Sequence, residues 1–165
     1  MRLEVATSEQ MEALGETLGS VARAGDVIVL TGELGAGKTT LARGVGRALN
    51  LESAVSSPTF VVARTHRAKK PGAAALVHLD AYRIGSAEEF EDLDIDLEHQ
   101  VVLAEWARPF IEVLTDSFLH VELTRPTAIE SGELEEDEPR RVVITAVGPH
   151  SELYQRVLDA VGALA

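Results

Sequence analysis

Gly32-Glu33-Leu34-Gly35-Ala36-Gly37-Lys38-Thr39 fits the spacing G-x-x-x-x-G-K-[ST], and each fixed residue suits one task, holding a polyphosphate. Glycines let backbone N–H groups turn towards phosphate oxygens with no Cβ in the way. A helix starting near Lys38 points its positive end at the same oxygens. The Lys38 ammonium reaches the β- and γ-phosphates, and the Thr39 hydroxyl is a ligand for Mg²⁺. The spacing therefore predicts a nucleotide-binding loop over Glu33, Leu34, Gly35, Ala36, Gly37, Lys38, Thr39 and Thr40.

Such a loop needs an acidic residue at the end of a neighbouring strand to hold the metal, directly or through water. Two positions compete. Glu105 follows Val101-Val102-Leu103-Ala104, and Asp80 follows Leu76-Val77-His78-Leu79. The cleaner apolar run assigns Glu105 to Mg²⁺ and Asp80 to the attacking water or the metal shell, with the exchange of these roles open. Lys38, Asp80 and Glu105 are the candidate catalytic set. Thr59 lies in the proline-anchored Ser57-Pro58-Thr59-Phe60, where switch loops hold a threonine against metal and γ-phosphate. Tyr82, Arg83 and Trp106 adjoin the two carboxylates. Trp106 either packs or stacks on a nucleotide, and Arg83 either stabilises charge or pairs with nearby acids. No N-K-x-D string is present, so nothing marks guanine selectivity.

These residues require strands and helices to position them. Val27-Ile28-Val29-Leu30 reads as a strand covered on both faces, and Leu41, Val45, Ala48 and Leu49 recur at helical spacing after the loop. Before it, Arg2 to Val5 reads as a strand, and Thr7 with Gln10 as a capping box for a helix over Ser8 to Ala24. Beyond it, strands are expected over Phe60 to Arg67 and Ala74 to Asp80, joined by the turn Lys69-Lys70-Pro71-Gly72. Ser86 with Glu89 caps a short helix through Phe90, a strand ends at Glu105, and Pro109 opens a helix to Leu114. Phe118 to Leu123 and Arg141 to Val147 read as a hairpin around a long loop, and Ser151 caps a last helix. Asp92-Leu93-Asp94-Ile95-Asp96 superficially suggests a calcium loop, but Leu97 stands where the turn glycine is required.

A chain of 165 residues with 45% hydrophobic and 25% charged content predicts one soluble globular domain, with no visible linker or repeat. No apolar run is long enough to span a membrane, and Met1-Arg2-Leu3-Glu4-Val5 lacks a signal core, so a cytoplasmic location is expected. With no cysteine, disulfide and thiol chemistry are excluded. The net charge of −12 is concentrated. Seven acids lie between Glu88 and Glu98 and six between Glu130 and Glu138, leaving 14 of the 27 acids against 15 bases elsewhere. Such a chain is a poor nucleic-acid binder by itself. The acidic runs are either solvated loops or docking surfaces for a basic partner, and Arg64, Arg67, Lys69 and Lys70 form a basic island.

Taken in order, Gly32 to Thr40, Ser57 to Phe60, His78-Leu79-Asp80-Ala81-Tyr82-Arg83 and Glu105-Trp106 resemble the TsaE family. This is the P-loop ATPase of the bacterial machinery that makes threonylcarbamoyladenosine in tRNA. The resemblance covers nearly the whole chain, apart from the acidic segment after Ile129. It implies a single-domain α/β P-loop NTPase-like fold of three layers with a mixed sheet, ATP rather than GTP, and Mg²⁺. It further implies a switch role for Thr59, an approach of Thr7 or Ser8 to the adenine, and association with TsaD and TsaB, through which tRNA is met. An ATPase resetting a partner complex is the leading reading. A small-molecule kinase using Asp80 as base, and a nucleotide-dependent scaffold with negligible turnover, stand beside it.

Overall fold

The computed structural model describes residues 1–56, 62–125, 139–150 and 152–162. Uninterrupted apolar runs become the inner strands, as their burial on both faces demands. The elements in chain order are β1 (Arg2–Val5), α1 (Ser8–Val21), β2 (Val27–Gly32), α2 (Lys38–Ala48), β3 (Ala63–His66), β4 (Ala75–Asp80), α3 (Ala87–Glu91), β5 (Gln100–Glu105), β6 (Phe118–Thr124), β7 (Arg140–Val147) and α4 (Glu152–Gly162). They form a seven-stranded sheet in the order β1-β7-β6-β2-β5-β4-β3. β2 runs parallel to β5 and β6, and β4 runs parallel to β5. The outer pairs β1–β7, β6–β7 and β3–β4 are antiparallel, so the sheet is mixed, as expected.

Alternation along the strands divides the apolar residues between two cores. Ile28, Leu30, Leu76, Leu103 and Val121 face α1, α2 and α4, meeting Leu18, Leu41, Val45 and Val157. Val29, Val77, Leu79, Val102 and Ala104 face the other way, onto Ile84, Phe90 and Ile111. That second layer is thin, made of α3 and two 3-10 turns at Ala81–Arg83 and Ile111–Val113. α1 and α2 pack closely because their crossing is lined with glycine: a Cβ at Gly15 would run into the Leu41 carbonyl, and one at Gly44 into the Glu12 carbonyl. Arg47 joins the same two helices, bonding Glu12 and Glu16 at 2.7 Å each.

Three expected elements are corrected. The helix expected from Pro109 to Leu114 is a turn followed by the single 3-10 turn Ile111–Val113. Unlike α3, which Ser86 caps, this stretch has no side-chain cap at Phe110 and carries β-branched Ile111 and Val113, and burial of Ile111 accompanies the 3-10 turn instead. α1 ends at Val21, not Ala24, because the Arg23 N–H donates to Asp26 Oδ2 at 2.7 Å and turns the chain. β3 begins at Ala63. The expected start of that strand at Phe60, the switch-like Thr59, the acidic stretch 130–138 and the Ser151 cap lie outside the described residues. Among the described residues, no helix is long and apolar enough to cross a membrane.

Candidate functional site

Strand register brings the chemistry to one sheet edge. Leu30 and Asp80 both pair with Glu105, so β4 and β5 end level, and β2 runs on beside β6 to Gly32, where the chain enters the glycine loop. Within that loop Gly35 (φ 77°) and Gly37 (φ 107°) adopt the left-handed conformation that side chains disfavour. Gly37 is the N-cap of α2 and supplies no side-chain cap, which leaves the first N–H groups of that helix to an anion. Gly35 is also approached by a cation: its Cβ would stand 3.5 Å from an Arg125 guanidinium nitrogen.

Lys38 is 7% exposed. Its Nζ donates to the carbonyls of Gly32 (2.7 Å) and Glu33 (3.0 Å), folding the side chain back over the loop. Burial pulls the ammonium below the ordinary lysine value, while the charges of Glu105 and then Asp80 oppose that shift. Both carboxylates therefore act on the lysine that the motif singles out. Glu105 is 6% exposed, and its Oε1 accepts from His78 Nε2 at 2.9 Å in the buried interior. Asp80 is half-buried and caps the next turn, its Oδ1 accepting from the Tyr82 N–H at 3.0 Å.

After Glu105 the chain turns sharply. Trp106 has φ 59°, a strained value for a bulky residue, held in part by its N–H bond to the Leu30 carbonyl at 3.3 Å. The turn brings the indole over the Lys38 ammonium, 5.0 Å from the ring centroid, and edge-on to Tyr82 at 5.8 Å. These residues line a cleft of about 670 Å³ together with Glu33, Leu34, Gly35, Gly37, Thr39, Thr40, Asp80 and Glu105. Its rim is apolar, for Leu34 is 94% and Tyr82 74% exposed. A second cavity of about 80 Å³ on the other side of the loop is lined by Thr7, Ser8, Gly35, Ala36, Gly37, Thr40 and Arg140.

The structure thus gathers Glu33, Leu34, Gly35, Gly37, Lys38, Thr39, Thr40, Asp80, Glu105 and Trp106 around one cleft, and sets Ser8 beside Ala36 in the smaller cavity. Arg83 is exposed and is not among the cleft-lining residues. Sequence reasoning missed three residues. His78 stands two positions before Asp80 on β4, hence on the same face, a signal readable from strand alternation. Arg125 and Arg140 flank the acidic segment: Arg125 follows β6, which pairs with β2, and Arg140 opens β7 opposite Val5 of β1, just before Thr7 and Ser8. Among the described residues no group of three or more His, Asp or Glu is placed to hold a metal. One carboxylate and a hydroxyl are what Mg²⁺ needs when phosphates and water complete its shell.

Comparison with known proteins identifies the family. The model of the TsaE family, described as threonylcarbamoyl adenosine biosynthesis protein TsaE, matches residues 5–132. The tRNA threonylcarbamoyladenosine biosynthesis protein TsaE of Streptomyces coelicolor is 45% identical over 141 residues, covering 84% of this chain and 91% of that protein. Its namesake in Bacillus subtilis is 33% identical over 148 residues, covering 88% and 85%. The crystal structure of Bacillus subtilis YdiB superposes with a TM-score of 0.71 at 24% identity over 100% of this chain and 96% of that one, which supports the fold. The chain belongs to the TsaE family.

Proposed function

We propose that this protein binds ATP with Mg²⁺ and hydrolyses it slowly, acting in tRNA threonylcarbamoyladenosine synthesis as a switch that resets a TsaD–TsaB type complex. One observation carries the reading: the Lys38 ammonium is held at a glycine loop, at the opening of α2, within the field of two strand-end carboxylates. In this reading the loop N–H groups from Glu33 to Thr40 cradle the phosphates, and Lys38 exchanges its two carbonyl partners for phosphate oxygens. Thr39 and Glu105 hold the metal. Mg²⁺, when bound, neutralises charge developing on the phosphates. Asp80 orients the attacking water, its Oδ2 being the oxygen not used in capping the turn. Ser8 sits on the side of the loop away from the carboxylates, which supports the adenine end there.

The partner role has its own support. The basic island lies on edge strand β3 and the turn after it, where Arg64, Arg67, Lys69 and Lys70 are exposed. It is tied to the segment that runs into Thr59: Arg64 Nη1 donates to Ser56 Oγ at 2.9 Å, the Glu52 N–H to the Arg67 carbonyl at 2.8 Å, and the Lys69 N–H to the Asn50 carbonyl at 3.0 Å. A partner docked on the island grips the approach to the switch-like threonine, and tRNA is met through that partner. Phosphate release measured with and without TsaD- and TsaB-type proteins, over a range of Mg²⁺, tests the reading. Slow release that Mg²⁺ supports and the partners accelerate is the expected result. A phosphorylated small-molecule acceptor in place of free phosphate would make the protein a kinase.

A further inference from the structure

An imidazole in an apolar core asks for a reason. His78 has no exposed surface, and its neighbours on that face of the sheet include Leu76 and Leu103. Burying a polar ring there is unfavourable unless its nitrogens are bonded. Nε2 is bonded, to Glu105 Oε1 at 2.9 Å, whereas Nδ1 has no hydrogen-bond partner among the described residues. A leucine would fill the space without leaving an orphaned nitrogen. The core does not call for histidine, but the carboxylate beside it does. A carboxylate can only accept, and a proton on Nδ1 would be buried without an acceptor, so the ring carries its proton on Nε2.

The position of the bond matters more than its existence. In register Asp80 stands opposite Glu105, and His78 lies one pleat further into the sheet on the same face. The ring therefore holds Glu105 from below, on the side away from the cleft. A free glutamate beside Lys38 would be drawn onto the ammonium, yet Lys38 bonds the Gly32 and Glu33 carbonyls instead. We propose that His78 is a positioning residue, whose Nε2–H takes Oε1 of Glu105 and leaves Oε2 presented to the cleft for the metal. The proposal rests on the reading of Glu105 as the Mg²⁺ carboxylate, and His78 itself touches neither metal nor nucleotide.

The test compares H78L, which removes the donor, with H78Q, whose amide nitrogen reaches about where Nε2 lies. ATP binding is followed by calorimetry without Mg²⁺ and across a Mg²⁺ titration, with thermal unfolding recorded for each variant. H78L is expected to bind ATP normally without Mg²⁺, while the Mg²⁺ concentration for half-maximal effect rises at least ~10-fold, the usual cost of losing an outer-shell partner. H78Q should return close to wild type. Should H78L fail to fold, H78N, whose shorter amide falls short of Glu105, takes its place with the same expectation. A wild type that needs Mg²⁺ beside an H78L variant with unchanged Mg²⁺ dependence overturns the proposal alone, as does H78Q impaired to the same degree as H78L. A wild type indifferent to Mg²⁺ overturns the metal reading of Glu105 and the proposal with it.

Discussion

The Lys38 ammonium lies 5.0 Å from the centroid of the Trp106 ring, so the charge that the glycine loop displays is shared between two carbonyls and an aromatic face. The electron-rich face offsets part of the cost of burying the ammonium. Trp106 is the chain's single tryptophan, so tryptophan emission reports on its surroundings, the Lys38 ammonium and the Tyr82 ring among them. Adding ATP with Mg²⁺ should change that emission, because Lys38 has to leave the loop carbonyls to meet phosphate. Lys38→Ala should weaken nucleotide binding at least ~10-fold and abolish measurable hydrolysis, since the side-chain charge aimed at the β/γ-phosphates is gone. A titration of wild-type Trp106 fluorescence checks the first, calorimetry and phosphate release on K38A check the second, and a K38A variant that still binds with wild-type affinity would refute the assignment of the loop.

The two carboxylates should separate binding from turnover. Glu105→Ala is expected to lose the Mg²⁺-dependent part of ATP affinity. Asp80→Asn keeps an oxygen to accept the Tyr82 N–H, so the turn survives while the charge is lost. That variant should bind ATP normally and hydrolyse it about 10²-fold more slowly, the scale of a lost general base or water-orienting group. Calorimetry and phosphate release on the pair decide the matter, and the opposite pattern exchanges the two roles.

Reversing Arg67, Lys69 and Lys70 to glutamate should remove partner stimulation without touching basal ATPase. Arg64 is left in place because it holds Ser56. Phosphate release with and without partner proteins is the measurement. Full stimulation in the triple variant would reduce the island to a solvated turn.

Acid should loosen the fold through its histidines. His66 is held below the ordinary imidazole value of 6.5 by burial first and then by His78 and Arg64. His120 is held below it by burial and Arg108, with Glu122 opposing. Above that value neither ring costs stability. As pH falls below it, the unfolded chain takes up protons that the folded chain refuses, and stability declines by up to about 1.4 kcal/mol per pH unit for each ring. Urea midpoints between about pH 7.5 and 5 should show the decline. His66→Asn, which keeps a partner for the Ser53 hydroxyl, should flatten it in part.

Local pattern made most of the frame legible. Val27 to Leu30, Val101 to Ala104 and the glycine spacing are short-range signals, and they placed β2, β5 and the opening of α2 with little error. Pairing a capping serine with Glu89 found α3 for the same reason. What stayed hidden depends on contacts between distant residues. The end of α1 is set by Asp26, whose carboxylate also bonds Arg156 from the last helix, and no window of sequence around Val21 contains that arginine. The turn at Trp106 is likewise held in part by the carbonyl of Leu30, 76 positions earlier. His78 was visible as one residue of a string, but its task appears only when β4 is laid beside β5.

The glycine-lined crossing of α1 and α2 has a mechanical consequence. With Gly15 against the Leu41 backbone and Gly44 against Glu12, the two helices touch main chain to main chain at these glycines, with no side chain at the point of contact to act as a cushion. Such a contact is stiff, because sliding either helix drives carbonyl into Cα. The helix that opens at the glycine loop is thereby held main chain to main chain against the one before it. On the far side of the sheet, β3 is an edge strand paired to β4 alone, and it carries basic side chains at the sheet's exposed border.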